Sequence, residues 1–171
     1  MPQVLMVIAP DMFRDEEYAH PKQIFERRGA TVVTASTTAG ECTGRFGLHA
    51  TADIALADAH AADYEAIVFV GGAGARVFFD DVTAHAFARD AYERGKVVSA
   101  ICVAPSVLAR AGLLEGRHTT SFETQESDLL THGALWTGEH VVVDAPFVTG
   151  DGPESAYEFG TAVADLMGLP R

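Results

Sequence analysis

The sequence predicts an α/β protein, a three-layer α/β/α sandwich on a mostly parallel central sheet. Short unbroken apolar runs at 4–9, 66–70 and 97–101 read as strands buried on both faces. Amphipathic segments of helical period lie between such runs. The resulting order β-α-β…β-α-β-α needs helical layers on both sides of the sheet. At 171 residues the chain suits one domain, 1–171, with no repeat, low-complexity tract or linker.

Taken in order, 4–9 is the first strand and 11–14 a polar turn. A helix over 15–28 carries Tyr18, Ile24 and Phe25 among charges, with Gly29 as its C-cap. Residues 30–36 form a second strand. Residues 37–47 hold three glycines and read as turns or a hairpin, and 52–63 as irregular or briefly helical. The strand at 66–70 runs into Gly71-Gly72-Ala73-Gly74. An amphipathic helix over 81–94 ends at Gly95. The strand at 97–101 and a helix over 105–111 flank Cys102, with Pro105 in the first helical turn, where its missing N–H costs nothing. A short segment at 119–122, a helix over 123–132, a hairpin-like pair at 141–145 and 147–149, and a helix over 154–167 complete the chain.

The net charge of −12 argues against binding nucleic acid or anionic membrane by bulk attraction. No apolar run is long enough to span a bilayer. Met1 to Pro10 lack a basic flank and enter a strand-like run directly, so no secretory signal is evident. Two cysteines make no disulfide framework in a chain this size, and zinc-ligand spacing is missing. A reducing cytoplasm is the expected compartment, and no cofactor or metal is expected.

Cys102 is the first candidate for chemistry. It stands at the carboxyl end of a buried strand, before a helix, and ligands bind at that edge of open α/β sheets. A helix N-terminus favours thiolate, so a lowered thiol pKa is expected. Small Ala100 and Ala104 flank it where hydrolase nucleophile elbows use glycine. Packing is the alternative, since a lone cysteine in an apolar strand is usually buried for that reason.

The glycines after the strand at 66–70 do not make a nucleotide loop. GxGxxG read from Gly72 meets Gly74 and then Val77, and no lysine follows. A glycine turn of positive φ explains the letters alone. The functional alternative is that backbone N–H groups of this turn face the Cys102 pocket and help hold a developing oxyanion.

Asp15, Glu16 and Glu17 open the first helix at the same sheet edge. Acids are stabilised there in any case. They point about 100° apart, so at most one faces the edge well, and geometry alone does not choose which.

Phe13-Arg14-Asp15-Glu16-Glu17, Val70-Gly71-Gly72 and Ala100-Ile101-Cys102-Val103-Ala104-Pro105 together resemble the DJ-1/PfpI family. The resemblance continues through Val141-Val142-Val143-Asp144, Val148-Thr149-Gly150-Asp151-Gly152-Pro153 and Glu158-Phe159, covering essentially the whole chain. It implies a flavodoxin-like, glutamine-amidotransferase-like sandwich and a homodimer or higher homo-oligomer. It also implies Cys102 as nucleophile, Glu17 as its acidic partner, and the N–H groups of Gly72 and Val103 as oxyanion donors. A carboxyl close to a thiolate is discouraged from ionising, so the pair should share one proton.

The chain departs from the family's peptidase branch at two positions. By the resemblance, Val103 stands where that branch has a histidine directly after the cysteine, and Arg76 where it has a glutamate, in the loop after the double glycine, supplied by a neighbouring subunit. Valine cannot relay a proton, so peptidase activity is not expected. Ser121 and Phe122 occupy the segment where some relatives place a histidine. His20, His118 and His132 are the remaining histidine candidates, with His20 one turn beyond Glu17. Arg76 is a candidate for binding an anionic group of a ligand, or for an exposed subunit contact. The expected function is addition of the Cys102 sulfur to a small electrophilic substrate, glyoxalase-like or hydratase- or hydrolase-like. The alternatives are a redox-responsive stress protein that senses oxidation at Cys102, and a fold retained for interaction alone.

Overall fold

A computed structural model describes residues 1–171. In chain order the elements are β1 (Gln3–Val7), β2 (Asp11–Phe13), α1 (Asp15–Arg27), β3 (Thr31–Ser36), β4 (Gly40–Gly44), β5 (His49–Ala52), β6 (Ile54–Ala55) and β7 (Ala66–Phe69). There follow α2 (Val82–Glu93), β8 (Val97–Ile101), α3 (Pro105–Arg110), β9 (His118–Thr119), α4 (Glu126–Thr131), β10 (Leu135–Trp136), β11 (Val141–Asp144), β12 (Phe147–Gly150) and α5 (Ala156–Met167).

Seven strands form the central sheet in the order β11-β12-β8-β7-β1-β3-β6. All neighbours are parallel except the β11–β12 pair. The three central strands β1, β7 and β8 are buried along nearly their whole length, which is why their sequences are unbroken apolar runs. Their carboxyl ends lie side by side. The loops into α1, out of β7 and out of β8 therefore meet at one edge. Helices α1 and α5 pack together, as do α2 and α3, and these pairs cover the sheet. Asp81 caps α2, its side chain accepting from the Ala84 amide at 3.1 Å.

Two segments differ from the sequence reading. Residues 11–13 form a short strand rather than a turn, pairing in parallel with β4. β4 and β5 are the two arms of a hairpin with its turn at 45–48, so a hairpin is present but its second arm, His49–Ala52, lies beyond the 37–47 read for it. Cys42 sits in β4, 1% exposed, its thiol directed at the Gly40 carbonyl at 3.7 Å. Phe78 and Phe79 are buried in the core. No helix is long and apolar enough to cross a membrane.

Candidate active site

The three adjacent acids of α1 have three different destinations. Asp15 accepts from the amides of Phe46 (3.1 Å) and Leu48 (3.0 Å), clamping the β4–β5 turn to the helix start. Glu16 pairs with Arg14 at 2.6 Å. Glu17 falls on the buried face of α1 with Tyr18, Pro21 and Phe25, and is 0% exposed. One helical turn of about 3.6 residues places Glu17, Pro21 and Phe25 in a single row, so the helix that packs its apolar side inward carries this carboxyl with it.

Cys102 adopts φ 64, in the left-handed region. A residue with a Cβ pays about 1–2 kcal/mol to stay there. Two backbone hydrogen bonds hold it: its amide donates to the Gly150 carbonyl (2.9 Å), and its carbonyl accepts from the Phe122 amide (2.7 Å). The sharp turn between β8 and α3 predicted from small flanking residues is therefore present. Cys102 retains 8% exposure and Val103 9%.

Gly71 lies between the two reactive side chains. A Cβ at this position would collide with Glu17 Oε1, and would lie 2.7 Å from both the Cys102 Cβ and the Ile101 carbonyl oxygen. Only a residue without a side chain lets carboxyl and thiol approach. Gly72 has φ 100, and a Cβ there would meet the Met12 carbonyl oxygen at 2.6 Å. The double glycine is thus required by both conformation and space.

The electrostatics of this pair are dominated by burial. Burial raises Glu17 from 4.5 to about 8, against the lowering effects of Cys102, Arg14 and the Gly71 backbone. Neither carboxyl oxygen has a well-formed hydrogen bond to any other protein group, which leaves the charged form poorly supported and agrees with the raised value. Burial, then the Glu17 charge and hydrogen bond, push the Cys102 thiol up. Hydrogen bonding from the backbone of Gly72 and Val103 opposes this and pulls the thiol down. The expectation of a thiol lowered by the helix N-terminus is corrected: α3 is only six residues long, and loss of water outweighs its end. The two backbone groups predicted as oxyanion donors do converge on Cys102.

The remaining candidates lie elsewhere. His20 stacks on Tyr157, ring centroids 4.0 Å apart, and forms no hydrogen bond with Cys102 or Glu17. Arg76 is exposed, with its guanidinium 5.8 Å from the Phe79 ring centroid and no ion pair. His118 is exposed, and His132 bonds to Asp128 on α4. No three His, Cys, Asp or Glu side chains cluster so as to hold a metal ion. A cleft of about 380 Å³ lies beside the elbow between 121–123, 136–140 and 151–155. It is lined by Phe122, Trp136, His140 and Asp151 among others, and Cys102 is not part of its wall. The sequence reading placed Gly71 in its glycine turn without a role of its own, and passed over Trp136 and this cleft, which carry no local signal.

A protein-family model for the DJ-1/PfpI family matches residues 2–166. The chain belongs to the DJ-1/PfpI family. It is similar to an uncharacterized protein of Methanocaldococcus jannaschii, 42% identical over 164 residues, covering 94% of this chain and 80% of that one. It is also similar to a protein of Thermococcus kodakarensis named a deglycase, 31% identical, covering 95% of this chain and 98% of the relative. Among solved structures, a ThiJ/PfpI domain protein from Brachyspira murdochii superposes with a TM-score of 0.96 at 31% identity, covering 99% of this chain and 98% of that one. As a DJ-1/PfpI protein, the chain has the mixed α/β architecture and mostly parallel sheet of its structural neighbours.

Proposed function

We propose that this DJ-1/PfpI protein is a cysteine-nucleophile enzyme acting on a small electrophilic carbon, such as an α-oxoaldehyde, a nitrile or an isocyanide. The observation that carries the reading is the buried Glu17 carboxyl beside a cysteine held at φ 64. At neutral pH Glu17 is protonated, because its pKa stands at about 8. The carboxylate charge that raises the thiol is then absent. Burial still holds the thiol up, so the reactive form is the one-proton state reached as that thiol ionises, with the proton held on Glu17 and the negative charge on sulfur facing the backbone of Gly72 and Val103.

The chemistry follows from that proton's position. The sulfur lone pair forms the S–C bond, and the π pair of the substrate's C=O or C≡N moves onto oxygen or nitrogen. The amides of Gly72 and Val103 stabilise this developing anion. Glu17 delivers its proton to it and becomes a carboxylate, ready to take a proton back in the next step. Addition needs no amine leaving group, so it tolerates Val103 and Arg76 where a peptidase would use a histidine and a glutamate. The deglycase name carried by the Thermococcus relative supports an enzymatic reading.

A panel of small α-oxoaldehydes, nitriles and isocyanides, assayed with wild type, Cys102→Ser and Glu17→Gln, tests the proposal. Turnover of at least one class should fall by about 10²-fold or more without Cys102. Equal turnover by wild type and Cys102→Ser would overturn it.

A further inference from the structure

The Cys102 carbonyl is held by a chain of hydrogen bonds that begins outside the site. The Trp136 indole N–H donates to the Ser121 hydroxyl oxygen at 2.9 Å. The Ser121 hydroxyl donates to the Phe122 carbonyl at 2.8 Å. The Phe122 amide donates to the Cys102 carbonyl at 2.7 Å. The direction of this chain is fixed by chemistry. An indole N–H can only donate, so the hydroxyl receives it on a lone pair and keeps its single proton for the carbonyl. Ser121 is 1% exposed, so water does not compete freely for either bond.

A second tie holds the same segment. Gln125 Nε2 donates to Ser106 Oγ at 2.8 Å, joining it to α3, the helix that follows the elbow. Residues 121–125 therefore strap the elbow at Cys102 itself and at Ser106 in the helix that follows it. Of the two bonds that hold the left-handed cysteine, the one to the Gly150 carbonyl belongs to the sheet edge, whereas the one from the Phe122 amide depends on these side chains.

We infer that Ser121 and Trp136 are positioning residues: they hold the Phe122 backbone through its carbonyl, and thereby its amide on the Cys102 carbonyl and the direction of the Cys102 side chain relative to Glu17. This rests on the reading of Cys102 as the reactive nucleophile. Neither residue touches the reacting atoms. Ser121 thus has a role in orienting the cysteine, in a segment where some relatives carry a histidine.

The test is alkylation of the full-length protein by iodoacetamide across a pH series. Modified Cys102 is separated from Cys42 by peptide mass spectrometry. Trp136 is the only tryptophan of the chain, so its fluorescence reports this network directly. Ser121→Ala should slow Cys102 alkylation by about three- to thirtyfold and shift the pH midpoint of its rate. Ser121→Thr, which keeps the hydroxyl, should stay within about twofold of wild type. Trp136→Phe should change the rate in the same direction as Ser121→Ala. In wild type, alkylation should alter Trp136 emission, and Ser121→Ala should abolish that response. The inference is overturned if Ser121→Ala matches wild type in rate and midpoint. Equal loss in Ser121→Ala and Ser121→Thr also overturns it, since bulk rather than the hydroxyl would then matter. Failure of the enzyme reading shows separately, as no turnover by a wild type whose Cys102 still alkylates.

Discussion

Glu17 and Cys102 meet across Gly71, whose missing side chain leaves the space that the carboxyl oxygen and the cysteine Cβ occupy. The two residues come from α1 and from the turn after β8. The strands that precede them in the chain, β1 and β8, are separated in the sheet only by β7, and Gly71 is in the turn that leaves β7. One glycine on the middle strand's exit thus controls the approach of groups delivered by its two neighbours.

Gly71→Ala should be costly for that reason. The added methyl has the Cys102 Cβ and the Ile101 carbonyl oxygen each at 2.7 Å, and the latter is backbone that cannot swing aside. Overpacking of this kind destabilises by about 1–3 kcal/mol. Chemical unfolding should show the loss, and Cys102 alkylation should change with it. A variant as stable as wild type would mean that the turn relaxes freely.

Stability should depend on pH through Glu17. Its pKa is about 8 in the folded chain against an ordinary 4.5. Between these values the folded protein keeps a proton that the unfolded chain has released, so stability falls as pH rises through the window. The slope from this group alone is about 1.4 kcal/mol per pH unit. Glu17→Gln cannot titrate there, so its stability relative to wild type should rise by on the order of 2–3 kcal/mol between about pH 5 and pH 7. Urea unfolding of both proteins at several pH values checks this, and parallel curves would contradict it.

Asp15 should matter for the hairpin rather than for the chemistry. Asp15→Ala removes the acceptor for the Phe46 and Leu48 amides. Both bonds are exposed to solvent, so the expected loss is about 1 kcal/mol. Limited proteolysis should show faster cleavage at the turn 45–48 than in wild type.

Much of this was legible in the chain because burial writes itself into sequence where it is complete. β1, β7 and β8 are covered on both faces, so each reads as an unbroken apolar run. β2 was not legible: three residues with Asp11 and Met12 exposed show no alternation, and pairing with a distant hairpin alone makes them a strand. The choice among Asp15, Glu16 and Glu17 was present but faint, in the four-residue steps from Glu17 to Pro21 to Phe25. The direction of the thiol's shift was not legible, because the loss of water at Cys102 depends on side chains brought in from other strands. Ser121 and Trp136 are 15 residues apart, with no periodicity to link them before the chain folds.

The central claim is that Glu17 holds the proton while the sulfur carries the charge. The rate of Cys102 alkylation against pH, in wild type and Glu17→Gln, tests it most directly. Burial sets the wild-type midpoint above that of an ordinary thiol, and Glu17→Gln should move it further upward, because the amide is a weaker donor to a thiolate than a protonated carboxyl. A midpoint that moves downward in Glu17→Gln would contradict the account, since Glu17 would then be a carboxylate that holds the proton on sulfur.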